Sequence, residues 1–172
     1  MSSKVLLVVL AVHILSCSAA VLKGFPTVCD SANFTIQCIE QFGYVHHYGI
    51  YEKLDLLEFS TTLSPTHFVL KSNGALQDVE TGKCVNSITR THFQLVLSNV
   101  CSGPDVDLWT YNSSNERLVN INTGLCFSPW YYPLSPSDVS YVPGLSPCAD
   151  YNRMILTPNP QQNKEKLRKC WT

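Results

Sequence analysis

"GALQDVETGKCV", Gly74 to Val85, returns as "ERLVNINTGLCF", Glu116 to Phe127. The twelve positions align without a gap at a spacing of 42, and Leu76/Leu118, Thr81/Thr123, Gly82/Gly124 and Cys84/Cys126 are identical. At ordinary residue frequencies chance supplies on the order of one such match, so the two stretches are copies of one unit. In both, Thr-Gly falls between short strand-like stretches, where glycine can take the positive φ that a bulged hairpin requires. The repeated unit is therefore expected to be a hairpin-based β element.

The copies continue in step. After Cys84 come "LVLSNVC" and "DLWTY", and after Cys126 come "PGLSPC" and "MILTP". Leu97, Cys101 and Trp109 thus correspond to Leu145, Cys148 and Leu156. Carried backwards, "TIQCIE" supplies Cys38 as a first cysteine, "LLEFS" puts Ser60 in place of the second, and "THF" sets Phe68 opposite Trp109. Three units result, at about 28–70, 71–111 and 112–157. The chain between them reads as β throughout: "FQLVL" alternates with period two, and "LVNI" and "THFVLKS" are short and bounded by turn formers. No long apolar stretch follows the 3.6-residue period of a helix.

Gly-x-Cys-apolar, then Leu-x-x-x-Cys, then a Gln-x-Trp-like element, three times at about forty residues, resembles the ricin B-chain (R-type) lectin family. The nearest flavour is the cysteine-rich domain of mannose-receptor-like proteins. The resemblance covers nearly the whole domain and implies an all-β, disulfide-bonded β-trefoil of three pseudo-symmetric units, with a six-stranded barrel capped by hairpins. No single unit of such a repeat buries its apolar face alone. With the repeat go disulfides Cys84 with Cys101 and Cys126 with Cys148, each worth about 3 kcal/mol on chain-entropy grounds. Cys38, facing Ser60, turns to Cys29 or Cys170, and Cys29 with Cys170 is equally allowed.

The remaining segments set the address. Lys4, the apolar run "VLLVVLAVHIL" and the small residues of "SCSAA" read as a secretory signal over residues 1–20. A lipoprotein reading centred on Cys17 is weaker, because Leu15 sits where a small residue is wanted. The domain is placed at 21–157 and a basic tail at 158–172, with secretion to the extracellular space and no membrane insertion expected. Of the eight cysteines, Cys17 falls in the leader and seven remain, an abundance suited to an oxidising compartment. Seven is odd, which leaves one thiol free or linking a second chain in a disulfide dimer. Sequons at Asn33 and Asn112 predict N-glycosylation. From Val21 to Thr157 twelve acidic residues face seven basic ones, which argues against nucleic acid as a partner.

In R-type lectins that bind galactose, an acid two residues after the first cysteine and an aromatic platform before the second hold the sugar beside a polar pair near Gln-x-Trp. The resemblance places Glu40, Asn86 and Ser128 at the acid positions and Glu58, Asn99 and Ser146 at the platforms. Gln-x-Trp becomes Thr66-His67-Phe68, Asp107-Leu108-Trp109 and Met154-Ile155-Leu156, so its apolar anchor persists better than its polar half, and Trp109 is expected in the core. The better candidate is the insert "FSPWYYPLSPSDVSYVPG", where Trp130, Tyr131, Tyr132 and Tyr141 offer stacking surfaces and Asp138 an acceptor. Its prolines are expected to hold it as an extended loop, with Glu40 the fallback site.

Enzymatic chemistry has little to stand on. Adjacent His46 and His47 face opposite sides of a strand and do not readily share a metal, and no nucleophile elbow, zinc-protease helix motif or phosphate loop occurs. The reading is a secreted, non-enzymatic carbohydrate-binding module without cofactor or metal, whose partner is a glycan or glycoprotein. The alternative is a trefoil without sugar binding that acts as an extracellular matrix, fluid or protease-inhibitory interaction protein.

Overall fold

The computed structural model describes residues 33–40, 42–89, 92–135 and 138–159. They form twelve strands: β1 Phe34–Cys38, β2 Gly43–Tyr51, β3 Leu54–Ser60, β4 Phe68–Leu70, β5 Leu76–Asp78, β6 Cys84–Thr89, β7 His92–Ser98, β8 Trp109–Asn112, β9 Arg117–Asn120, β10 Cys126–Ser135, β11 Asp138–Ser146 and β12 Met154–Pro158. No α-helix occurs among the described residues, only a 3-10 turn at Asp150–Asn152. Every strand pairing is antiparallel, and β1-β4-β5-β6-β7-β11-β3-β2 closes back on β1 as an eight-stranded barrel. Six strands were expected. Outside the ring, β12 pairs with β1, and β10, β9 and β8 extend in turn from β11.

The repeated Thr-Gly turn is anchored by a buried polar side chain in each copy. Asp78, fully buried, accepts from Glu80 N at 3.0 Å and Thr81 Oγ1 at 2.6 Å, while Gly82 N returns to Asp78 O. Asn120, equally buried, accepts from Thr123 N at 3.0 Å and Thr123 Oγ1 at 3.2 Å, and Gly124 N returns to Asn120 O. A polar side chain that mimics a backbone turn leaves one residue to take positive φ, and both Gly82 and Gly124 sit at φ +72°. The β2–β3 hairpin solves the same problem without glycine, through Glu52 and Lys53 at φ 48° and 71°.

Strand register corrects the placement of the first unit. Gln77 pairs with Cys84 and Val119 with Cys126, while Gln37 pairs with Tyr44. Tyr44 therefore stands where the other copies have their first cysteine, and Cys38 falls level with Asp78 and Asn120. Ser60, opposite Tyr44, matches Ser98 opposite Cys84 and Ser146 opposite Cys126, and so does not stand in for Cys101 or Cys148. Likewise Trp109 pairs with Asn120, Phe68 with Asp78 and Met154 with Cys38, so Met154, not Leu156, takes the tryptophan's place. Equal spacing along the chain had suggested the other alignment, but spacing does not fix which residue a strand pairs with. Gly43 pins the junction: a Cβ there would lie 2.2 Å from Ser60 O.

Cys84–Cys101 and Cys126–Cys148 are bonded, as the repeat requires. Cys38 is a free thiol, 1% exposed, in the core. Burial pushes its pKa up, which keeps it protonated and inert at neutral pH. Cys29 and Cys170 lie outside the described residues, as do the leader and residues 160–172 of the tail. The core gathers around Trp109, 1% exposed, whose ring meets Phe127 at 5.8 Å and whose Nε1–H donates to Val85 O at 3.2 Å. Phe34, Phe68, Leu76, Leu118 and Met154 surround it in the same cluster.

Candidate functional site

The positions expected from the resemblance to hold a sugar are occupied by internal fasteners. Asn86 is buried; its Nδ2 donates to Ser98 Oγ and Val100 O, both at 2.7 Å, and its Oδ1 accepts from Asp107 N at 2.7 Å. Ser128 is fully buried, with Oγ 3.5 Å from Gly144 O. In the corrected register the third such position is His46, not Glu40, and His46 Nδ1 bonds Ser64 O at 2.9 Å. The polar half of Gln-x-Trp is Thr66, Asp107 and Asn152, all buried. Thr66 Oγ1 accepts from His47 N at 2.8 Å, Asp107 Oδ2 from Ser87 N at 2.5 Å, and Asn152 Oδ1 from Ala149 N at 2.6 Å. Each ties a long loop to a strand or to its own turn, and a buried polar group so satisfied has little left for a sugar hydroxyl.

The aromatic insert is the β10–β11 hairpin, not an extended loop. Pro129 faces Pro143, and Pro133 faces Val139. Two facing prolines exchange no N–H bond, so this is a non-hydrogen-bonded pair of the ladder, the register at which proline does no harm. Two residues along, Tyr131 faces Tyr141 in a pair of the same kind, where Cα atoms approach to about 4.5 Å and side chains are closest. Their rings lie edge to face, 6.1 Å apart and 79° between planes. Tyr141 rests on Phe42 at 4.4 Å, and Phe42 in turn reaches the core residue Phe59 at 6.5 Å. Tyr131 is 60% exposed and Tyr141 37%.

Trp130 is separated from this pair. It is 40% exposed, but it faces Val142, and adjacent strand residues point to opposite sides. The hairpin thus brings Tyr131 and Tyr141 together and turns Trp130 away from them. Tyr132 and Asp138 contribute backbone to β10 and β11; their side chains lie outside the described residues.

Among the described residues, shallow crevices of about 460 to 550 Å³ lie where one long loop meets the next turn. The first is lined by His46, His47, His67 and Glu80. Beside it the half-exposed His47 Nε2 bonds Asp55 Oδ1 at 2.6 Å, and Lys83 Nζ reaches Asp55 Oδ2 at 2.5 Å. Burial works to raise the Asp55 carboxyl, but hydrogen bonds and charge from Lys83 and His47 outweigh it and hold its pKa below the ordinary value. Among the described residues no group of three or more His, Cys, Asp or Glu is placed to hold a metal. The second crevice is lined by Ser87, Asp105, Asp107 and Asn122. The third holds Glu40, with Arg117–Asp150 at 3.2 Å and Arg153 paired to Glu116.

No protein-family model matches the chain, and no curated protein matches it significantly. Two features of the site had no signal in the sequence: Phe42, which braces Tyr141 from a distant strand end, and the Asp55–Lys83 pair, 28 residues apart. Pro129 and Pro133 of "PWYYP" share one strand parity, but which residues of β11 face them had no signal in the sequence.

Proposed function

We propose that the chain is a secreted β-trefoil module that recognises carbohydrate through the Tyr131–Tyr141 face of the β10–β11 hairpin and performs no chemistry on its ligand. The observation that carries this reading is the solvent-facing tyrosine pair, braced from below by Phe42 and framed by prolines. Rigid aromatic faces stack on the apolar side of a pyranose at low entropic cost. A single such face supports affinities from millimolar to high micromolar, about −4 to −6 kcal/mol.

The trefoil reading is supported by the pairing scheme. Within β1–β4, β5–β8 and β9–β12 the first strand pairs with the second and the second with the third, while β4 with β5, β8 with β9 and β12 with β1 join the units. β3, β7 and β11 pair with one another where the three hairpins meet. Two disulfides suit an oxidising, extracellular address, and the leader-like residues 1–20 and the two sequons agree with it.

A second reading, an extracellular interaction protein without sugar binding, is favoured by one specific observation: Asn86, Ser128 and His46 are all spent on internal hydrogen bonds. A glycan array run with wild type and Tyr131→Ala separates the two. Binding that falls at least tenfold in the variant, at little change in melting temperature, supports the tyrosine face. A wild-type protein that binds no glycan at all refutes carbohydrate recognition and leaves the interaction reading.

A further inference from the structure

The crevice beside Glu40 is bordered by a sequon. Asn112, exposed, ends β8, and Ser113 and Ser114 of the following turn line the crevice with Glu40, Glu116, Arg117 and Asp150. Asn112 Oδ1 accepts from Ser114 N at 3.0 Å and from Ser114 Oγ at 2.7 Å. Two donors on the amide oxygen draw charge from the amide nitrogen and acidify its N–H, and Nδ2 makes no hydrogen bond among the described residues. The other sequon is built differently. Asn33 is half-buried and otherwise engaged, and Thr35, 7% exposed, has Oγ1 3.5 Å from Thr157 O across the sheet.

We propose that Asn112 carries an N-linked glycan whose first sugar residues rest in the Glu40 crevice, so that the chain's own glycan is the occupant of that site. The walls suit a sugar. Arg117 and Arg153 are already paired with Asp150 and Glu116, which fixes their positions and removes their net charge. Glu40 is exposed and makes no ion pair among the described residues, which leaves its carboxylate to accept from a hydroxyl or an acetamido N–H. The crevice, about 550 Å³, begins at Ser113, the residue next to the one that would carry the glycan.

In the transfer, Asn112 Nδ2 attacks the anomeric carbon of an oligosaccharide linked to a lipid diphosphate. The N–C bond forms as the C–O bond to the diphosphate breaks. That bond's electron pair leaves with the lipid diphosphate, and the Nδ2 proton passes to a base of the transferring enzyme. The inference rests on the secretion reading given above, because only a chain entering a eukaryotic secretory pathway meets that donor. It does not depend on the tyrosine face. Its consequence is that Glu40 ceases to be a site for external sugar.

The full chain with its own leader, expressed in a eukaryotic cell line and recovered from the medium, tests both steps. Mass mapping of tryptic peptides is expected to find a glycan on Asn112. Enzymatic removal of the glycan, or Asn112→Gln, is expected to lower the melting temperature by about 2–4 °C. Glu40→Ala and Glu40→Gln should produce a similar drop in the glycosylated protein and none in the Asn112→Gln background. Asn33→Gln should leave that coupling intact. Secreted protein with unmodified Asn112 refutes the modification, and Glu40 variants that act equally in both backgrounds refute the docking. A chain that never reaches the medium, while a control secreted protein does, refutes the secretion reading instead and the proposal with it.

Discussion

Trp109→Ala removes the largest fully buried side chain of the core. A tryptophan buries about 150–250 Å², which at about 25 cal/mol/Å² corresponds to roughly 4–6 kcal/mol of transfer free energy, and the alanine methyl retains a part of it. The net, about 3–5 kcal/mol, matches what such truncations cost in well-packed cores. The indole also donates to Val85 O at 3.2 Å, and a buried carbonyl left without its donor costs about 1–3 kcal/mol, which pushes the loss to the upper end. Trp109→Phe keeps most of the area and the contact with Phe127 but drops the donor, so it should cost about 1–3 kcal/mol. Against a total of about 5–15 kcal/mol, the alanine variant approaches the unfolding threshold while the phenylalanine variant remains measurable. Urea unfolding followed by far-UV circular dichroism, with disulfides intact, reads both. The midpoint should fall in the order wild type, Phe, Ala at nearly constant slope. An alanine variant within about 1 kcal/mol of wild type that loses a ligand instead would show that Trp109 belongs to a binding site and that the packing argument is wrong.

Asp55 has its pKa held below the ordinary aspartate value of about 3.9 by Lys83 and His47, so its stabilisation should be complete above that pH and fall away as acid takes the pH through the folded value. The melting-temperature gap between wild type and Asp55→Asn should accordingly close below about pH 4, and a gap unchanged from pH 7 to pH 2 would contradict the ion-pair account. Replacing Glu52-Lys53 by Asn-Gly places at both positive-φ positions residues that adopt it more readily and should raise stability by about 1 kcal/mol in the same urea assay. Gly43→Ala should cost about 2–3 kcal/mol or more, because φ is +86° and the new Cβ meets Ser60 O; a neutral result would mean that the β2–β3 junction is looser than described. Tyr131→Ala should lower glycan binding at least tenfold and Trp130→Ala should leave it nearly unchanged, since the two rings face opposite sides of the hairpin; equal losses on the array would overturn that division.

How much of this was legible beforehand depends on the unit. The two copies of Thr-Gly-x-Cys announced themselves because the turn needs a glycine at positive φ and a cysteine follows it at the same offset in both. Their hairpins, their two disulfides and the burial of Trp109 all appear as the residues suggested. Unit one has neither the glycine nor the cysteine pair. Cys38 and Ser60 share the separation of Cys126 and Cys148, which suggests that alignment, whereas strand pairing makes Tyr44 the counterpart of the first cysteine. Nothing in a tyrosine marks it as such. The aromatic insert was found as a cluster, but its division into two faces needed the pairing of Pro129 with Pro143 to set which residues point together.

By itself the sequence determined the class of the fold, the repeat, the disulfide partners in two units and the tryptophan at the centre. The fold class and the repeat follow from local demands, namely the conformations of Thr-Gly turns and the alternation of strands, while the disulfide partners and the central tryptophan follow from extending the repeat by its resemblance to R-type lectins. Only the tertiary structure decided which polar residues serve the fold and which remain available to a ligand. Asn86, Ser128, Thr66 and Asp107 look like site residues in one dimension and become fasteners in three, because a buried polar atom draws its bond from what the folded chain brings near it. That partner lies on the facing strand 16 residues away for Ser128 and at Asp107, 21 residues away, for Asn86, and no local rule names it.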